Sequence, residues 1–557
     1  MENRTILALV ISFVILFGWA VFFGPQQGRV VPEQTPPSET AGSEREAAVN
    51  EPVTGAPQAG VAPAPVSPVP PEVAADTVPE REVKIETPLY TAIFSTAGPA
   101  LTSFLLKDYR ETIEADSPLK DMVALDPSLG NFLEIDFNAG SATGPASVYE
   151  VDQPALQMEP GTAPQEVVFR ATGRDGLTRV KTLRFYADRY QIDYEVTVAN
   201  HAAASVRGVP YASVRALPAK KKGYYSFVGM VGYLDGKLKQ VKVKDPSDPQ
   251  TLKGALSWWG YEDDYFLRAV MPTEAANGLL EVRQSAAGVL EGQAAGEAVS
   301  LAPGEALASS YTVYLGPREL SVLKTVGHHL DAAINFGWTD IIARPLLYVL
   351  RFFYGFVHNY GVAIILLTVL VKILFWPLTH RSYKSMKEMQ KLQPLMAKIR
   401  EKYKDNRQQM NQEMMGLYKT YKVNPMSGCL PMVIQIPVFF ALFRILGSAI
   451  ELRHAPFMLW INDLAAPDRL FSFPFSIPFM APPYGLPVLT LLMGASMFIQ
   501  QKMTPTPGDP SQAKLMMFLP LIFTFMFINF PSGLVLYWLV NNVLSIGQQY
   551  RIHRGPA

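Results

Sequence analysis

The order of apolar and polar positions divides the chain into stretches of different periodicity. Ile6 through Phe23 is almost wholly apolar. At about 1.5 Å per residue this run reaches about 27 Å, which suits a bilayer core. It exceeds the apolar stretch of a signal peptide, so it predicts an uncleaved transmembrane anchor over 1–23, with a cleaved signal as the other reading. Over 84–318 the period becomes two. Tyr190, Ile192, Tyr194, Val196 and Val198 alternate with Gln191, Asp193, Glu195 and Thr197, as in a half-buried strand. Asp175-Gly176 lies between Val167-Val168-Phe169 and Leu183-Arg184-Phe185, a hairpin signal. Many short strands with Gly/Pro turns predict a sandwich. Trp258-Trp259 reads as an interaction patch or as packing, and packing is the simpler reading.

The pattern turns helical over 319–358. Leu323, Leu330 and Ile334 share a face, and Trp338, Ile341, Ile342, Leu346 and Val349 continue with Arg344 and Arg351 between them. An amphipathic helix in the membrane interface looks like this, and so does an ordinary packing helix. Five further apolar runs predict spans at 359–378, 426–450, 485–503, 514–530 and 531–549, six with the anchor. The fold class expected is a polytopic α-helical membrane protein with a five-helix core and a large extracytoplasmic all-β domain.

Composition refines this picture at three places. Twelve of the 46 prolines fall within 24–83, and no aromatic occurs between Phe23 and Tyr90. Such a segment buries too little apolar surface to offset its ordering entropy, so it reads as a disordered tether. The chain has 49 Lys+Arg and 49 Asp+Glu, a net charge of zero that excludes a generally basic nucleic-acid binder. One cysteine, Cys429, excludes a disulfide framework and a cysteine zinc site.

Charge placement sets orientation. Eleven Lys/Arg lie between Arg381 and Lys422, which puts the loop 379–425 in the cytoplasm by the positive-inside rule. Alternating spans then put both termini, the loop 504–513 and the tail 550–557 inside. The β domain and the loop 451–484 fall outside. The 379–425 loop reads as a helical hairpin. Met386, Met389 and Met396 mark a stripe on its first arm, and Met410 and Met414 mark one on its second. Asp405 and Gln408 have capping-box spacing at the turn, and Pro394 is placed to kink the first arm. Thioethers repack around unlike apolar partners, which suits client contact; they also fill irregular cores.

Lys372 is the residue of greatest interest. It lies inside a span, five residues before Pro377, with Thr368, Trp376 and Thr379 on the same helix face. An ammonium at membrane depth is costly, and none of the five spans offers an Asp or Glu to pair with it. It therefore faces water or polar side chains, with Gln435, Ser496, Gln500, Thr524, Asn541 and Asn542 as candidates, unless its stem snorkels to the cytoplasmic interface. Adjacent His328-His329 makes no metal motif on a helix. No P-loop, H-E-x-x-H or G-x-S-x-G occurs, so nothing points to a cofactor or to enzyme chemistry.

Four stretches carry a resemblance: FWPLTHRSYKSMKEMQKLQP (375–394), VNPMSGCLPMVIQIPVFFALF (423–443), ELRHAPFMLWINDL (451–464) and FPSGLVLYWLVNN (530–542). With the layout around them they resemble the YidC family of bacterial membrane protein insertases, in its Gram-negative form. The resemblance implies a periplasmic β-supersandwich and a five-helix core shared with mitochondrial and chloroplast relatives. It implies a hydrophilic groove open to cytoplasm and lipid, with Lys372 at the family's basic position, where many members have Arg. Thr368 and Trp538 match groove-lining positions, and Gln435, Gln500 and Asn541 are the polar residues expected beside them. The implied partners are nascent inner-membrane proteins, membrane lipids, and the Sec translocon with its accessory subunits, without nucleotide hydrolysis or direct nucleic-acid contact. Ribosome contact through a tail has little to rest on here, because the chain after Gln549 is short and carries two arginines. The rival readings are a transporter or channel that uses Lys372 as an ion site, and a scaffold for translocon partners.

Overall fold

The structure, a computed structural model, describes residues 79–139, 148–173, 175–219, 227–243, 248–273, 276–421, 423, 430–503 and 510–554. The anchor over 1–23, almost all of the tether, Cys429 and most of the loop 504–513 lie outside the described residues.

The period-two region folds into two packed sheets. Five strands form the smaller, in the spatial order Leu119–Asp121, Ala100–Arg110, Tyr90–Ser95, Glu82–Glu86 and Ala155–Gln157. The tether thus ends earlier than the sequence suggested, because Val83 and Ile85 are already core positions of a strand. Among the described residues the larger sheet has fourteen strands. Its middle runs Gln250–Glu262, Phe266–Pro272, Ala306–Pro317, Gln191–Asn200, Leu177–Phe185 and Gln165–Thr172. Ile192, Tyr194, Val196 and Val198 are buried, as alternation requires. The hairpin at Asp175-Gly176 is present: Gln165–Thr172 pairs antiparallel with Leu177–Phe185, and Gly176 takes φ +74° in the turn. Phe94 of the small sheet meets Phe169 and Phe185 of the large one at 6.2 and 6.0 Å, so the sandwich core lies between them. Trp258 and Trp259 are both buried, and their indole N–H groups donate to the carbonyls of His329 and Gly292.

Eight helices follow among the described residues. Helix α1 (Leu320–Val326) and α2 (Asp340–Val357) leave the sandwich. Then come α3 (Tyr360–Lys402), α4 (Arg407–Thr420), α5 (Leu430–Ser448), α6 (Val488–Met503), α7 (Pro510–Phe527) and α8 (Ser532–Arg554). The described residues of the five late apolar runs fall mainly in α3, α5, α6, α7 and α8. Among the described residues, α3 alone is long and apolar enough to cross a bilayer by length and composition. Helix α8 packs between α3 and α6, and α6 packs on α7.

Helix α3 passes through Pro377 and Pro394 without a break, so the first hairpin arm continues the span. Thr379 turns its hydroxyl back onto the carbonyls of Phe375 and Trp376, the usual local bond of a threonine inside a helix. The second arm is capped one residue later than the sequence suggested. The Asn406 side chain, not that of Asp405, accepts the Gln409 N–H at 3.1 Å.

Helices α6 and α7 meet through Gly494. A Cβ there would lie 2.0 Å from Thr524 Oγ1. Such close approach is the use of small residues between apolar helices. Gly494→Ala should therefore push the two helices apart and cost about 1–3 kcal/mol, read as a lower Tm of the purified protein in detergent.

Candidate functional site

Helix α8 presents polar side chains to both of its neighbours. Toward α3, Ser545 Oγ accepts from Lys372 Nζ at 2.6 Å and donates to the Asn541 carbonyl at 2.7 Å. One turn further, Gln548 Nε2 donates to Thr379 Oγ1 at 3.0 Å. Toward α6, Asn542 Nδ2 donates to Ser496 Oγ at 3.0 Å. These residues form a polar seam through the helical core, and Lys387 Nζ extends it by donating to the Ile552 carbonyl. The opposite surfaces are apolar and bare: Ile373, Leu374, Phe518 and Leu521 are all exposed.

Lys372 is enclosed. Its residue exposure is 9 %, and among the described residues it makes no ion pair. A cation out of water whose recorded partner is one hydroxyl is poorly compensated. The amine thus neither lies among hydrocarbon alone nor snorkels to the end of the helix.

The structure brings only some of the expected residues together. Thr368 is buried, but its hydroxyl bonds the Ile364 carbonyl of its own helix at 2.7 Å. Asn541 contributes its backbone carbonyl to Ser545. Gln435 donates to the Tyr537 hydroxyl at 2.6 Å. Gln500 is half-buried near the C-terminal end of α6. Trp538 sits in an aromatic cluster, with ring centres 4.8 Å from Phe439 and 5.0 Å from Phe527. The hairpin has its own small core of Met389, Leu392, Met396 and Val423, against which Met414 packs. Met389 and Met396 therefore hold the two arms together, and their side chains face protein; Met386 and Met410 are half-buried.

Ser545 and Gln548 were missed in the sequence. Asn541, Ser545 and Gln548 stand at i, i+4 and i+7, a polar stripe on one helix face. That spacing was visible, but Gln548 follows the apolar run and reads as an interfacial flank.

A second polar group sits where the sandwich meets the core. Arg351 of α2 pairs with Glu319 beside α1 and with Glu451 after α5, at 2.5 and 3.3 Å. Arg453 donates to the carbonyls of Arg110, the last residue of a small-sheet strand, and of Glu111 beyond it, and lies over the Tyr265 and Phe266 rings. Burial pushes the Glu451 carboxyl above the usual carboxylate range, and Arg351 pulls it down by less. Among the described residues no group of three His, Cys, Asp or Glu is placed to hold a metal ion.

A helix bundle that is apolar outside, polar along an inner seam and bolted to a folded β domain is the architecture of an integral membrane protein with a large extramembrane domain. Residues 352–556 match the family described as 60Kd inner membrane protein, and residues 82–349 match the YidC periplasmic domain. The chain belongs to the YidC family of membrane protein insertases. The membrane protein insertase YidC of Geobacter metallireducens is 44% identical over 100% of this chain and 99% of its own length. That of Syntrophus aciditrophicus is 44% identical over 87% of this chain and 88% of its own. A crystal structure titled as an active YidC insertase with its first transmembrane domain resolved is 19% identical, covers 84% of this chain and 92% of its own, and has a TM-score of 0.37.

Proposed function

We propose that the chain inserts newly made proteins into the inner membrane along the seam of α3, α6 and α8, with Lys372 as its electrostatic contact and without nucleotide hydrolysis. The single observation that supports this reading is the enclosed ammonium held by Ser545 alone among the described residues. Exchanging that hydroxyl for a carboxylate of an entering chain replaces a weak partner by a strong one. Opposite charges 4 Å apart attract by roughly 4 kcal/mol at an effective dielectric of about 20. A client's short acidic flank is drawn into the seam in this way. Its apolar segment leaves sideways past the bare faces of α3 and α7, driven by about 25 cal/mol per Å² of apolar area removed from water.

In this reading α3, α5, α6, α7 and α8 cross the bilayer with the 1–23 anchor as a sixth span. The hairpin and both termini lie in the cytoplasm of a Gram-negative cell, and the sandwich lies in the periplasm. Work beside the Sec translocon and contact with ribosomes enter through the family resemblance. A photoreactive residue at Asn541 should cross-link a stalled client during insertion. Cross-links from exposed Ile373 with none from Asn541 would mean that clients slide along the outside, and the seam would lose its role.

A further inference from the structure

We infer that residues 470–487 form a preformed paddle that seats its aromatic tips in the outer leaflet of the bilayer. This rests on the reading that α5 to α8 cross the membrane. The segment Leu470 to Pro487 contains no Asp, Glu, Lys, Arg or His, and it carries Phe471, Phe473, Phe475, Phe479 and Tyr484. Phe471 and Phe479 are 70% and 79% exposed, and Phe475 is exposed as well. Exposed aromatic rings grouped on one charge-free loop are not the surface of a loop that water surrounds.

The loop is held in shape from below. Leu470 and Leu486 exchange backbone hydrogen bonds, and Phe473 N–H donates to the Tyr484 carbonyl. Arg469 spreads its guanidinium over four carbonyls: Pro483, Asp468, Ile528 and Ala481. It also reaches Asn529 Oδ1 at 3.2 Å. Asn529, in the turn between α7 and α8, donates to the Phe479 carbonyl and accepts the Ala481 N–H, both at 2.8 Å. The base of the paddle is thus pinned to the end of the helical core, while its tips project. Little conformational entropy remains to be lost when the tips enter another phase.

Continuity points to the occupant. The Phe479 ring packs edge-on against Phe525 of α7 at 5.5 Å. Phe525 ends an exposed column of Phe518, Leu521, Ile522 and Phe525 on that helix. If that column faces acyl chains, Phe479 continues the same apolar surface to its outer edge, where aromatic residues settle at the headgroup boundary. A polar protein partner finds no charge there to steer it or fix its register.

The chain has one cysteine, so single spin labels are easily placed in a Cys429→Ser background. Labels at Phe475→Cys, Phe479→Cys, Leu521→Cys and His201→Cys are compared in proteoliposomes of phosphatidylethanolamine and phosphatidylglycerol, without client. At 475 and 479 collisions with oxygen should exceed those with a water-soluble nickel chelate several-fold, as at 521, and the order should reverse at 201. Arg469→Ala should move the 479 label toward water and leave the 521 label in lipid. A label at 479 that meets the chelate as 201 does, with 521 in lipid, overturns the paddle and leaves the insertase reading standing. A 521 label in water overturns the transmembrane reading beneath it. Spin–spin broadening between copies at 479 would assign the surface to a second copy and also overturn the paddle.

Discussion

Lys372→Ala should slow insertion of a client with an acidic translocated tail roughly ten- to a hundredfold, the loss expected for a charge-assisted hydrogen bond of roughly 1.5–3 kcal/mol. The same variant should insert a client with a neutral tail at close to the native rate. Lys372→Arg keeps the cation and should keep most of the activity, although a planar fork replaces a point charge. The dependence on client charge is the informative measurement, because general damage would slow both clients alike. Ser545→Ala offers a companion test. It takes from the ammonium the hydroxyl that holds it at 2.6 Å and leaves the charge in place. Acidic clients should then still discriminate against Lys372→Ala. Equal rates for acidic and neutral tails in all these variants would remove electrostatic attraction from the mechanism.

Arg351→Ala should loosen the junction between sandwich and core by about 3 kcal/mol near pH 8, the usual loss when a buried pair is deprived of one partner. Arg351 holds Glu319 and Glu451 together, and the Glu451 side chain is 9% exposed. A carboxyl whose folded pKa is raised binds its proton more tightly in the folded state. Its contribution is complete below the ordinary carboxylate pKa and is lost as pH rises through the raised value. The junction of the native protein should therefore weaken slightly from pH 5 to pH 8, and that of Arg351→Ala steeply. Limited proteolysis between sandwich and helices at the two pH values reads this out. Glu451→Gln should flatten both profiles, since an amide has no charge to strand. A pH-independent loss in Arg351→Ala would assign the effect to Glu319 and Ser321 instead.

Local pattern carried the reading of the sequence a long way. The strand around Tyr194 and the hairpin at Gly176 follow from period two and one turn dipeptide. The late helices follow from unbroken apolar runs, and a polar partner for Lys372 from the cost of its charge. What escaped depends on contacts between distant residues. Lys372 and Ser545 are 173 positions apart, and Arg453 and Arg110 are 343 apart. No periodicity links such pairs. The methionine stripe shows a different limit. Its spacing places Met389 and Met396 on one face, but spacing alone does not say whether that face meets a client or the second arm. Trp538 was assigned to the groove by position in a motif, and its neighbours turned out to be phenylalanines.

The unbroken run of α3 from Tyr360 to Lys402 makes one rod of 43 residues, about 64 Å long. Its N-terminal half holds the ammonium and its C-terminal half is the first arm of the hairpin. Were the helix to tilt as one body about its first turn, about 5° would displace its last turn by about 5 Å, roughly the height of one helical turn. The hairpin arm and the residue that bonds Ser545 thus share one continuous helix, with no loop between them.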